Sequence, residues 1–180
     1  VYDNQNVEYI LISKGSSDDA YMIGKVAVCE IQNLIIAYKE RLDKNNFIQN
    51  LLLDNLLLVD IYNRAKKLHI EVAVPRAVFL VETHLEKDGI VTELLKGMFS
   101  SQAGDYITAV DESSVILIKA LEPNTTHENL MDIANTIVGM MNTEAMMNVR
   151  VSFGTIVPEL KDVSKSYKEA MMAIDVGKIF

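Results

Sequence analysis

The sequence predicts an α+β domain, an antiparallel sheet layered with helices, preceded by a long helical connector. Three observations predict it. Short β-rich runs recur at 76–84 (RAVFLVETH), 105–110 (DYITAV), 114–121 (SVILIKAL) and 149–157 (VRVSFGTIV). The segments between them carry apolar residues at helical spacing. Ahead of them, from about Asp19 to Leu68, the pattern is almost wholly helical.

The connector comes first in the chain. Val7 to Ser13 (VEYILIS) is β-rich and closes in the turn cluster Lys14-Gly15-Ser16-Ser17-Asp18-Asp19. A lone strand is not stable in water, so residues 1–15 are expected to be the terminal strand of a truncated N-terminal domain. From about Asp19 to Arg41 the pattern is helical, with a seam in which Ile31, Ile35, Tyr38 and Leu42 recur at coiled-coil spacing. These four are the expected contacts of a homodimer. Asp43-Lys44-Asn45-Asn46 is expected to interrupt the helix, which resumes from Phe47 to Leu68 with a leucine-rich run. That run is apolar around much of its circumference and must be buried on more than one side. Residues 16–70 therefore read as a connector and dimerisation region, and 71–180 as the α+β domain.

Within the domain, Arg76 to His84 reads as a buried strand and Asp88 to Phe99 as a helix. Asp105–Val110 and Ser114–Leu121 flank Asp111-Glu112-Ser113, which is hairpin chemistry. Thr126 is placed to cap a helix reaching about Met141, with Glu128 in its first turn. Val149–Val157 is the last strand and Leu160–Val176 the last helix. The order β-α-β-β-α-β-α is a ferredoxin-like layout, with helices expected on one face of the sheet.

Composition narrows the function. The chain has 180 residues, 25 acidic against 17 basic, and a formal charge of −8. With no Lys/Arg-rich stretch it lacks the footprint of a nucleic-acid binder. Cys29 is the only cysteine, which excludes an internal disulfide and fits a reducing cytoplasm. Among Val26, Val28 and Ile31 it reads as a small buried hydrophobe. Leu51 to Ile61, taken as the longest apolar stretch, is too short and polar to span a bilayer, so no membrane partner is expected. The chain starts at Val1 without methionine and ends on Ile179-Phe180, so both ends read as cuts through a longer protein.

The strand order, with VRVSFGTIV followed by SYKEAMMAI, resembles the palm-like domain of GGDEF diguanylate cyclases over residues 74 to 180. In those enzymes a glycine-bearing hairpin approaches the nucleotide phosphate and acidic residues hold metal. The corresponding stretch here, Ala109 to Ser114, has no glycine, and Asp111 and Glu112 are its only acidic pair. The first strand ends Glu82-Thr83-His84, followed by Glu86-Lys87-Asp88 where a lysine and asparagine pattern is expected. The domain thus resembles a degenerate GGDEF-like one. Glu82, His84, Asp111 and Glu112 could meet at one sheet end, but charged hairpin tips are usually just solvated. No catalytic residue, metal site or cofactor is expected.

A second resemblance covers nearly the whole chain. Arg64-Ala65-Lys66-Lys67-Leu68, Pro75-Arg76-Ala77-Val78, Ser152-Phe153-Gly154 and Ser166-Tyr167-Lys168-Glu169-Ala170 occur in the order and spacing of the carbohydrate diacid regulator (CdaR) and purine catabolism regulator (PucR) group. The resemblance implies a transcription regulator with an N-terminal sensor, this middle domain and a C-terminal helix-turn-helix beyond Phe180. A small-molecule effector, such as a sugar diacid, would bind in the N-terminal part, and DNA only through the helix-turn-helix. The alternatives are a divergent nucleotide cyclase and a nucleotide-sensing module that kept the fold without the chemistry.

Single residues add little chemistry. His69, His84 and His127 share no ligand spacing. Tyr167 reads as packing of the last helix on the sheet. Met140, Met141, Met146, Met147, Met171 and Met172 read as core or interface filler. Gly154 permits a bend or close backbone approach.

Overall fold

The computed structural model describes residues 2–3, 6–7, 9–15, 18–83, 89–99, 104–111 and 114–179. The chain divides into two compact units, Val1–Asn45 and Asn46–Phe180.

In the first unit, β1 (Tyr2–Asp3) and β2 (Asn6–Val7) pair antiparallel, with Tyr2 opposite Val7. The expected strand from Val7 to Ser13 does not extend beyond this pair. Residues 9–15 have no regular structure and are exposed, because no strand among the described residues offers them a ladder. Helix α1 (Asp18–Leu52) then runs for 35 residues. It passes through Asp43-Lys44-Asn45-Asn46 without the expected break. None of the four is proline or glycine, so nothing there removes a helical hydrogen bond or clashes with the preceding turn. Of the seam residues, Ile31 and Ile35 are partly exposed, while Tyr38 and Leu42 are 68% and 46% exposed. Cys29 is exposed rather than buried. Helix α1 is also long and apolar enough, by length and composition alone, to cross a membrane. It is a longer apolar stretch than Leu51 to Ile61.

The break comes at Leu53–Leu57 instead. Asp54 takes a left-handed φ of 61°. The Asn55 N–H donates to the Asn50 carbonyl at 3.0 Å and the Asp54 N–H to the Leu51 carbonyl at 3.2 Å. This is a Schellman ending, which satisfies carbonyls the helix leaves open. After α2 (Leu58–Lys67) the motif recurs: His69 has φ 53°, and the Ile70 N–H reaches the Ala65 carbonyl. His69 is thus a helix terminator.

The sheet follows as β3 (Arg76–Thr83), β4 (Tyr106–Ala109), β5 (Ser114–Ala120) and β6 (Val149–Phe153). It is antiparallel throughout, in the order β4-β5-β3-β6, the arrangement the sequence predicted. Between the strands lie α3 (Gly89–Phe99) and α4 (His127–Glu144). A short 3₁₀ turn (Leu160–Asp162) leads into α5 (Val163–Gly177). Thr126 caps α4 as expected, though its capping-box partner is Asn129.

Helices cover both faces of the sheet, not one. Ala77, Phe79 and Val81 pack with Leu95, Leu130, Ile137 and Met141 of α3 and α4. Val78 and Leu80 pack on the other face with Phe47, Ile48, Ile61, Tyr167 and Ala170 of α1, α2 and α5. The six buried residues that open β3 require this. A strand with one wet face alternates, whereas a strand buried on both reads as a continuous apolar run. The leucine-rich end of α1 and all of α2, read as connector, therefore belong to this second core.

Candidate functional site

Antiparallel register decides which residues share the sheet end beyond β3. Glu82 lies opposite Ser114 on β5 and Arg150 on β6, and Thr83 lies opposite Val149. The β4–β5 hairpin turns beside them, with Ala109 opposite Val115. This is where the sequence placed Glu82, His84, Asp111 and Glu112. His84, Glu112 and the Glu86-Lys87-Asp88 run lie outside the described residues.

Glu82 is paired with cations. Its side chain is 13% exposed; Lys178 Nζ lies 2.7 Å from Oε1 and Arg150 Nη1 lies 3.5 Å from Oε2. The Lys178 ammonium is held above the usual lysine range, chiefly by that hydrogen bond. Two cations on one carboxylate neutralise the charge a metal would need. Among the described residues, no group of three or more His, Cys, Asp or Glu side chains is placed to hold a metal ion.

The hairpin is anchored to its own core. The Gln49 side-chain amide of α1 donates to the Ala109 carbonyl at 2.7 Å. Val110 packs against the α1, α2 and α5 core. Asp111 is exposed. Tyr167 is almost fully buried in that same core, as packing required. Burial raises the pKa of its phenol, and the Asp111 carboxylate adds to the rise.

Ser152-Phe153-Gly154 and Ser166-Tyr167-Lys168-Glu169-Ala170 meet at a different place. Phe153 is opposite Phe79, and the next bridge is Val157 with Arg76. Three residues, 154–156, therefore face two, 77–78, and this is a β-bulge. The Gly154 N–H still reaches the Val78 carbonyl at 3.0 Å. The Val78 N–H, turned out of the ladder, donates to Ser166 Oγ on α5 at 3.0 Å. Ser152 Oγ donates to the Ala170 carbonyl at 2.7 Å. Thr155 gives both its N–H and its hydroxyl to Glu169 Oε2, at 2.8 and 2.6 Å. These bonds hold the Glu169 carboxyl below the usual range, the side-chain bond first. The two motifs are thus the halves of one strand–helix joint.

Arg76 is the largest fully buried side chain. Its guanidinium donates to the carbonyls of Val74 at 3.0 Å and Glu71 at 2.6 Å, closing the loop between α2 and β3. Burial lowers its pKa. In the sequence Arg76 and Ser166 stand only as parts of motifs, and nothing there marks Gln49, Arg150 or Lys178 as their companions. A serine two residues before a glycine that ends a strand, and a second serine on the next helix, was the signal for the joint.

The sheet order, the glycine-free hairpin and the joint lie within the residues that a known family shares. The chain belongs to the GGDEF-like domain family, whose model matches residues 55–176, more than half of its length. The match begins at the turn that ends α1 and runs nearly to the end of α5. No curated protein and no solved structure matches the chain.

Proposed function

We propose that this chain is a non-catalytic signal-relay and dimerisation fragment of a cytoplasmic bacterial transcription regulator of the CdaR/PucR kind. The observation that carries the reading is the uncovered apolar surface of α1. Among the described residues of its first unit none is buried, and Tyr21, Ile23, Leu34, Ile36, Tyr38 and Leu42 are exposed. Exposed apolar surface of this extent marks an interface. The spacing of Ile31, Ile35, Tyr38 and Leu42 fits a second copy of the same helix. A bilayer is the weaker fit. Lys25, Glu30, Gln32 and Asn33 interrupt the apolar stretch, and each charge near a bilayer centre costs about 3 kcal/mol.

The sheet end supports the absence of catalysis, because Glu82 is occupied by two cations and the hairpin has no glycine. The acidic charge of −8 supports leaving DNA contact to a helix-turn-helix outside these residues; effector binding by an N-terminal sensor is part of the proposal.

Light scattering tests the assembly. The expected result is a dimer at tens of micromolar, split or driven to aggregation by Ile35→Glu, because an unpaired carboxylate in an apolar seam is costly. A monomer, or an Ile35→Glu dimer as tight as the parent, overturns the reading. A monomer that enters lipid vesicles instead would make α1 a membrane segment.

A further inference from the structure

Glu82 joins elements far apart in the chain. It stands near the end of β3, Arg150 stands on the neighbouring strand β6, and Lys178 is the C-cap just beyond α5. The carboxylate is nearly enclosed, and Oε2 is buried with no hydrogen-bond partner among the described residues. Such an oxygen relies on the charges around it, because burial has removed water. Lys178 meets Oε1 at 2.7 Å, and its other partner, Asp175 in its own helix, is more distant at 3.4 Å. Ile174 is buried in the core, but beyond it the end of α5 has little else to fix it. Val176 and Ile179 are exposed, and the amides of Lys178 and Ile179 donate only to Asp175 and Val176 of the same turn.

We propose that Glu82 is a latch that fixes the last turn of α5 to the sheet end, making that turn a two-position element controlled from the end of β3. With the latch closed, the Lys178 charge is neutralised and the turn is held. With it open, the turn frays into solvent and Glu82 retains only Arg150. The inference rests on this geometry alone and stands or falls independently of the dimer.

Hydrogen exchange of the full chain, resolved to the amides of Gly177, Lys178 and Ile179, tests it. Glu82→Gln and Lys178→Met should each speed exchange there by about fivefold, the scale of a lost, partly buried ion pair. Leu117 in the sheet core should keep its protection. Asp175→Asn should leave the last turn close to the parent, and the Glu82→Gln/Lys178→Met double variant should exchange no faster than either single one. Lys178→Met alters only a surface side chain, so it reads the latch even if Glu82→Gln loosens the whole sheet. Unchanged exchange in Lys178→Met, or an equal effect from Asp175→Asn, would show that the turn is held only by its own helix.

Discussion

Gly154 and Ser166 approach each other backbone to backbone. A Cβ built on Gly154 would sit 2.7 Å from the Ser166 Cα and closer still to its carbonyl oxygen. The bulge in β6 brings α5 this near, and the Ser166 hydroxyl then reaches the Val78 N–H.

Gly154→Ala is therefore expected to be among the most damaging single-methyl changes in the chain. The obstacle is main chain, which has no rotamer to yield, so the cost lies at about 3 kcal/mol, the upper end for overpacking. Urea unfolding followed by circular dichroism measures it. A loss below about 1 kcal/mol would mean the strand and helix separate easily.

Ser166→Ala removes an acceptor while filling no new space. The Val78 N–H would be left buried and unpaired, which costs about 1–3 kcal/mol. The midpoint of urea unfolding should fall with its slope unchanged. Ser166→Cys, which offers sulfur as a weaker acceptor, should lie between the two.

Met146→Gly should stabilise. Met146 is 92% exposed with φ 53°, and it ends α4 where the Met147 N–H returns to the Met141 carbonyl. Glycine relieves the left-handed strain at the cost of a freer unfolded chain, for a net gain of up to about 1 kcal/mol. The thermal midpoint should rise, and a fall would show that the methionine side chain makes contacts worth more than the strain.

Glu169 links the strand–helix joint to acid. Its folded pKa lies below its ordinary value because Thr155 hydrogen-bonds the charged form. A depressed carboxyl contributes stability above its unfolded pKa, and that contribution is lost as pH falls through the folded pKa. The parent should therefore lose more stability than Glu169→Gln on acidification from neutral pH to below the glutamate range. Parallel acid titrations of the two proteins would disprove the linkage.

Incubation with GTP and magnesium or manganese should yield no cyclic dinucleotide above a protein-free blank. Turnover abolished by Asp111→Ala or Glu112→Ala would establish catalysis at the sheet end and reverse the non-catalytic reading.

The strands were legible because their signals are local. RAVFLVET is apolar and β-branched, and Asp111-Glu112-Ser113 sits between two such runs. The second layer of helices was less legible. Burial of both faces of β3 depends on Phe47, Ile48 and Ile61, which helical periodicity alone assigned to a connector. The helix break was misplaced because Asp43–Asn46 is polar, whereas polarity on an exposed helix breaks nothing. The real stop depends on Asp54 accepting a left-handed φ, which composition does not announce. Of the sheet end, the sequence placed Glu82 correctly, but its cations come from positions 150 and 178, which only the antiparallel register and the run of α5 bring together.

The bulge at Gly154 has a consequence for solubility. Strand β6 is an edge of the sheet, and an unbroken edge is a template on which another chain can add a strand. By turning residues 154–156 out of register and committing Thr155 to Glu169, the joint shortens the flat part of that edge to Val149–Phe153. Arg150 stands second in what remains. Variants that unmake the joint would then do more than lower the melting point. They would lengthen a sticky border, and their losses should appear as insoluble protein before they appear as unfolded protein.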